Sequence, residues 1–328
     1  MLTSVAHSLF ARLGSRGNRR RRTRPANARG LRSRPHVELL EIREVPAILN
    51  LATLGDSLTA PYPTTSPYGV NGDHSWTQQL QDLRGGKVQI ENLAVPGATS
   101  DDVVANQAAP AAALVADGRV EYVSLIVGAN DVFTHLPTIF IAGPAAFIQS
   151  YAGDVASNVA RTVDVVTSAG HVGMVVGNVP DVTTTPAFQV FVGQTFGNFA
   201  TWVMQATSAA IVQANSQIQA IAAADGIPVV DLYHLSQDAA AGLTVGGVQI
   251  ANPYAPDYFH PNTISQGIIG NTILDALHVA YHTPVQPLRL SDQEILAEVG
   301  IAAATTQPRT YFDVSPYVVF DHAPVLVP

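Results

Sequence analysis

The chain has 328 residues, 47% of them hydrophobic, enough to bury a sizeable core in one large domain or two smaller ones. It contains no cysteine, which excludes disulfides, thiolate metal sites and a cysteine nucleophile. Its net charge of −8 divides sharply: residues 1–43 carry 11 of the 17 basic and 2 of the 25 acidic side chains, so the remainder stands at −17, a body that repels phosphate backbones and excludes nucleic acid as its partner.

Residues 1–46 read as a basic leader. "SRGNRRRRTRPANARGLRSRP" holds nine arginines, little apolar content and no periodicity, the composition of a disordered segment. "RPHVELLEIREVPA" resembles the Arg-rich N-terminal segment of some exported bacterial proteins, which implies a secreted, periplasmic or cell-surface destination. A bare solvated tail and a nucleic-acid-binding arm are the competing readings. No window reaches the roughly 18 consecutive apolar residues of a membrane-spanning helix.

From Ala47 onward, β-rich runs at 47–55, 87–95, 120–129, 171–179 and 226–233 alternate with helical patterns at 75–83, 101–117, 144–170, 199–226 and 271–282. Strand, helix, strand in repetition means parallel strands joined by crossover helices. The unbroken apolar character of "VSLIV" and "GMVV" fits strands covered on both faces. A three-layer α/β/α sandwich with about five parallel strands follows, spanning 47–283. Residues 284–328 read as a C-terminal appendage in which "SDQE" (291–294) is a capping box that starts a short helix.

In an open parallel sheet, reactive groups gather beyond the carboxyl ends of the strands. Ser57 follows the first strand in "LATLGDSLTA", Gly97 follows the second in "NLAVPGATS", and Asn130 follows the third in "VGAND". Asp257 and His260 stand three apart in "APDYFHPN", ahead of the last helix. Those residue types suit acyl transfer. A serine hydroxyl needs a base to take its proton; histidine serves near neutral pH, and a carboxylate on its other ring nitrogen fixes the tautomer. The backbone N–H groups of Ser57 and Gly97, with the Asn130 amide, supply donors for a developing oxyanion, each worth about 3 kcal/mol.

"GDSL" (55–58), the Gly97 block, "GAND" (128–131) and "DYFH" (257–260) resemble, in order and context, the GDSL or SGNH hydrolase family over roughly residues 48–282. "NVPDVTTTPAF" (178–188) resembles the block after the fourth strand in its lipase-like and acylhydrolase members. The resemblance implies a serine ester hydrolase with Ser57 as nucleophile, His260 as base, Asp257 as its orienter, and Gly97 and Asn130 as oxyanion donors. It further implies a flavodoxin-like sheet of order 2-1-3-4-5, no metal and no organic cofactor. The substrate is then a small-molecule, lipid or carbohydrate ester; acyl length, alcohol half and oligomeric state stay open. One departure is the long Pro-rich insert "TAPYPTTSPYGVNGDHS" (59–75), where a helix often begins sooner.

Each motif alone has a plain alternative: a turn, a helix cap, a helix-start glycine, or a capping Asp beside a surface His. Their joint order, each after its expected strand, carries the functional reading. Asp56 and Asp131 are assigned to loop hydrogen bonds, Trp76, Leu80 and Leu83 to the core, and His135, like the other remaining histidines, to the surface or core, with a place lining the pocket as the lesser alternative. Two rival functions remain: a carbohydrate O-acetyl esterase using the same site, and a non-catalytic exported binding module on the same fold.

Overall fold

The computed structural model describes residues 48–63, 72–285, 287–304 and 309–320. The leader 1–46, with its expected disorder and export role, lies outside the described residues, as does 64–71 of the insert. Five short runs rich in Val, Ile and Leu form the parallel strands β1 (Leu49–Gly55), β2 (Val88–Asn92), β3 (Tyr122–Ile126), β4 (Gly173–Gly177) and β5 (Val229–Val230). They pair in the expected order 2-1-3-4-5. β1 lies inside: Leu51 is level with Ile90 on one side and Tyr122 on the other. A hairpin of β6 (Leu243–Val245) and β7 (Val248–Ile250) stands apart from this sheet, and β8 (Val318–Val319) adds an unexpected sixth strand, antiparallel to β5.

One face of the sheet is covered by α2 (Ser100–Asn106), α3 (Ala108–Ala116), α6 (Pro144–Thr167) and α8 (Ala200–Ala224). Small buried residues of α8, among them Ala206, Ala210 and Ala214, let it lie close against α6. The short helices α4 (Asp131–His135), α5 (Pro137–Ala142) and α7 (Pro186–Phe196) pack on the same side. The other face carries α1 (Trp76–Leu83), α9 (Leu232–Ala241), α10 (Thr263–Tyr281) and α11 (Asp292–Ala297). α10 is buried around most of its circumference, and Ile268, Ile273, Leu274 and Leu277 are each fully buried. Every such side chain contributes about 1.5–3 kcal/mol of apolar burial. Trp76 and Leu80 pack against α10 as core residues, with Leu83 at their margin. Among the described residues no helix is long and apolar enough to cross a membrane.

Three elements differ from the sequence expectation, each for a local reason. The single helix over 101–117 is two, because Pro110 donates no N–H and its ring would collide with the carbonyl of Asn106 in a continuous helix. The last helix begins at Thr263 rather than 271, since the Asn262 side chain caps it by accepting the Ser265 N–H. The strand over 226–233 pairs only at Val229 and Val230, and Asp231 then caps α9.

The described part of 284–328 does not stand apart. Asn271 on α10 brackets the Leu290 backbone with bonds of 2.7 and 2.8 Å, and the Arg84 guanidinium grips both Glu294 oxygens at 3.0 and 2.7 Å. The expected capping box forms: Ser291 and Glu294 satisfy each other's backbone N–H at the start of α11. Leu288, Leu290, Ile295 and Tyr317 join the core beneath α10.

At the α2–α3 break Gln107 turns its amide inward. Oε1 accepts the Gly55 N–H at 2.8 Å and Nε2 donates to the Gly55 carbonyl at 2.9 Å. Gln107→Ala removes both buried bonds, and urea unfolding should show a loss of about 3 kcal/mol. Unchanged stability would mean that the amide is not holding the end of β1.

Candidate active site

The site is built on the carboxyl edge of the sheet, beginning where β1 ends. Gly55 adopts a φ of +135°, and a Cβ there would lie 1.9 Å from the Ile126 carbonyl oxygen. Only glycine admits so close an approach of β1 to β3. The chain then turns through residues 56–60, with the Thr59 and Ala60 N–H groups bonded to the Asp56 carbonyl and the Asp56 carboxylate bonded to the Leu58 N–H. Ser57 stands half-buried at the tip of this turn.

Asp257 and His260 arrive from the loop ahead of α10. Tyr258 between them takes the left-handed conformation at φ +57°, uncommon for a bulky residue, and this folds the loop tightly. Asp257 Oδ1 accepts the N–H groups of Phe259 and His260 at 2.9 and 3.0 Å, while Oδ2 meets His260 Nδ1 at 2.5 Å. His260 Nε2 faces Ser57 Oγ at 2.8 Å. With Nδ1–H directed at the carboxylate, the Nε2 lone pair is free to accept the serine hydroxyl. Partial burial pushes the Asp257 carboxyl up, but the bonds from the His260 ring and the two N–H groups outweigh it and hold the pKa below the ordinary carboxylate value.

Tyr62, from the Pro-rich insert, lies buried beneath this loop. Its hydroxyl donates to the Pro261 carbonyl at 3.1 Å and accepts from Gln266 Nε2 at 2.7 Å, and its ring stands edge-on to His260. Asp73, also in the insert, accepts the N–H and hydroxyl of Thr263, both at 2.8 Å. The insert thus ties down the segment that carries the imidazole.

On the opposite side, the ends of β2 and β3 are locked together. Asn130 Nδ2 donates to the Ala98 carbonyl at 3.0 Å, which commits one amide hydrogen and leaves the other. Asp131 accepts the Ser100 N–H at 3.0 Å and the Ser100 hydroxyl at 2.6 Å, so the start of α2 is bound to the end of β3. Gly97, next to Ala98, is exposed at φ +82°, a conformation that disfavours a side chain. Asp56 and Asp131 therefore both make the loop bonds expected of them. His135 lies outside the pocket, as its main reading had it: its ring nitrogens face the Asp131 carbonyl at 2.8 Å and the Asp154 carboxylate at 3.0 Å.

A cavity of about 80 Å³ opens at Ser57, Asn130 and His260 and runs toward α9 and α10. Its walls are mainly apolar, with Leu58, Val182, Leu235 and Ile268 prominent. Sequence reasoning missed these walls and Tyr62. The wall on α9 had a signal, Leu232, Leu235 and Ala239 at helical spacing; Tyr62 had none.

The family model for the GDSL-like Lipase/Acylhydrolase family matches residues 53–266, a span that includes Ser57, Gly97, Asn130, Asp257 and His260. The chain belongs to this family. It is an ester hydrolase. No curated protein matches it. Among solved structures it is similar to a lipase from a goat rumen metagenome, at 13% identity over 73% of this chain and 100% of that one with a TM-score of 0.48. A lipase/acylhydrolase from Enterococcus faecalis shares 16% identity over 68% of this chain and 92% of that one, at a TM-score of 0.40. An acetylxylan esterase from Geobacillus stearothermophilus shares 16% identity over 80% of this chain and 99% of that one, at 0.43.

The Asp of this chain's GDSL motif is itself unusual. Asp56 is buried, its Oδ2 has no hydrogen-bond partner among the described residues, and burial pushes its pKa up to about 7 against the pull of the Leu58 N–H and His260. The ordinary value is 3.8, so between the two the folded chain holds a proton that the unfolded chain has released, and stability falls as pH rises through that window. The fall attributable to Asp56 is on the order of 4 kcal/mol. Asp56→Asn keeps the neutral form at every pH, so its unfolding free energy should decline less than that of the wild type between pH 4.5 and 8. Parallel curves for the two proteins would show that Asp56 ionises freely in the folded state.

Proposed function

We infer that this hydrolase cleaves carboxylic esters of aliphatic acids through an acyl-enzyme on Ser57. The observation that carries the reading is the relay of Asp257, His260 and Ser57, at 2.5 and 2.8 Å, at the mouth of an apolar cavity. Ser57 Oγ attacks the ester carbonyl carbon as its proton passes to His260 Nε2. The carbonyl π electrons move onto oxygen, where the N–H groups of Ser57 and Gly97 and the uncommitted Asn130 amide hydrogen stabilise the charge. Asp257, ionised and held by three donors, offsets the positive charge on the imidazolium. Collapse breaks the bond to the alcohol, which leaves with the proton from His260. A water deprotonated by His260 then attacks the acyl-enzyme, and the carboxylic acid departs as Ser57 regains its proton.

The cavity supports an aliphatic acyl group over acetyl on a sugar. At 10–15 Å³ per water it has room for roughly six waters. An acetyl group leaves most of that apolar wall wet, whereas a chain of intermediate length fills it. The leader's resemblance to export segments supports action outside the cytoplasm.

Ser57→Ala should lower hydrolysis of p-nitrophenyl hexanoate by at least about a thousandfold while leaving the melting temperature in place. Full activity in that variant discards the mechanism. Along a series of p-nitrophenyl esters, kcat/KM should rise from acetyl to about hexanoyl, each buried methylene adding about 0.8 kcal/mol. Leu235→Phe, which narrows the cavity, should move that preference toward acetyl. A flat series in the wild type would assign the cavity no part in acyl binding.

A further inference from the structure

Residues 136–153, which span α5 and the start of α6, and residues 182–224, which span α7 and α8, hold no Asp, Glu, Lys, Arg or His. They meet at one side of the site through a run of aromatic rings. Phe259, which walls the cavity beside His260, lies 6.0 Å from Phe133, and Phe133 lies 5.7 Å from Phe191. Phe191 is 6.1 Å from Phe196, which stacks on Phe140 at 5.2 Å. Phe199 and Trp202 close around Phe140 at 6.3 and 5.9 Å.

The rings run without a break from the cavity wall to solvent, and the outer end is bare. Phe140 is 50% exposed, Phe199 61%, and neighbouring Ile141 84%. Single exposed apolar side chains are ordinary, but a connected group of this kind marks an interaction surface. We propose that this face docks on a lipid surface and presents the cavity to ester substrate held there. The nature of that substrate rests on the esterase reading above.

Charge and position select the occupant. The body carries a net −17, which anionic headgroups repel, yet this face is neutral and aromatic, the composition that partitions into a lipid–water boundary. The rings end at Phe259 in the cavity wall, so the face is continuous with the cavity, and a lipid surface seated on it supplies the apolar chain that the cavity accepts.

The chain carries its own probe. It has two tryptophans, Trp76 fully buried and Trp202 at the bare end of the patch, so a change in tryptophan emission on binding reports Trp202. The full-length protein is mixed with zwitterionic phosphatidylcholine vesicles at physiological salt, a composition that gives the leader's arginines no anionic headgroup excess to bind. Cosedimentation and a blue shift of several nanometres are expected, and Ser57→Ala should bind equally well. Ile141→Ser combined with Phe199→Ser should weaken vesicle binding at least tenfold, slow hydrolysis of a vesicle-embedded ester by a similar factor, and leave the rate on soluble p-nitrophenyl butyrate unchanged.

Absence of both cosedimentation and blue shift in the wild type overturns the proposal, as does undiminished binding by the double variant. A wild-type dimer in sedimentation velocity that the double variant abolishes assigns the face to a second copy and also overturns it. Vesicle binding without hydrolysis of any soluble ester keeps the docking face and removes the esterase reading, so the two fail separately.

Discussion

Between β1 and β3 there is no space for a side chain at position 55, where the missing Cβ would sit 1.9 Å from the Ile126 carbonyl oxygen. That approach fixes where β1 ends. The next residue donates its N–H to the same carbonyl at 3.3 Å, and the Gln107 amide closes on the Gly55 peptide from the α2–α3 break. Ser57 follows two residues later in a turn with little freedom left. Its hydroxyl is placed by backbone packing in the sheet, before any contact with His260 is made.

Three carboxyl groups surround that point, and their environments drive them apart. Asp257 accepts three hydrogen bonds and is held in the ionised form. Burial pushes Asp131 up in spite of its bonds from Ser100, and pushes Asp56 up to about 7. Below that value Asp56 adds no negative charge beside the imidazole. Burial of Asp56 and exposure of Asp257 to donors are thus complementary settings of one electrostatic arrangement.

The parallel sheet, its order and the residues meeting at its edge were legible because each signal is local. A run of Val, Ile or Leu ends in a recognisable turn, and the order of Ser57, Gly97, Asn130 and Asp257 with His260 can be read along the chain. What stayed hidden depends on partners distant in sequence. Nothing near Gln107 indicates that its amide reaches Gly55, and nothing near Tyr62 indicates that its hydroxyl meets Pro261 across 199 residues. β8 is two residues long and is defined by β5 rather than by its own composition. The early start of α10 was visible in principle, since Asn262 precedes Ser265 at capping spacing; the Gly and polar residues of "NTISQGIIGN" obscured it.

The position of β8 has a bearing on how the molecule is made. In its absence β5 would present unpaired N–H and C=O groups at the sheet margin, the template on which unfinished copies of a chain stick to one another. Its shield comes from residues 318–319, far downstream of Val230, so β5 leaves the ribosome well before the strand that covers that margin. Aggregation during synthesis, rather than loss of catalysis, is therefore the hazard against which this small strand guards.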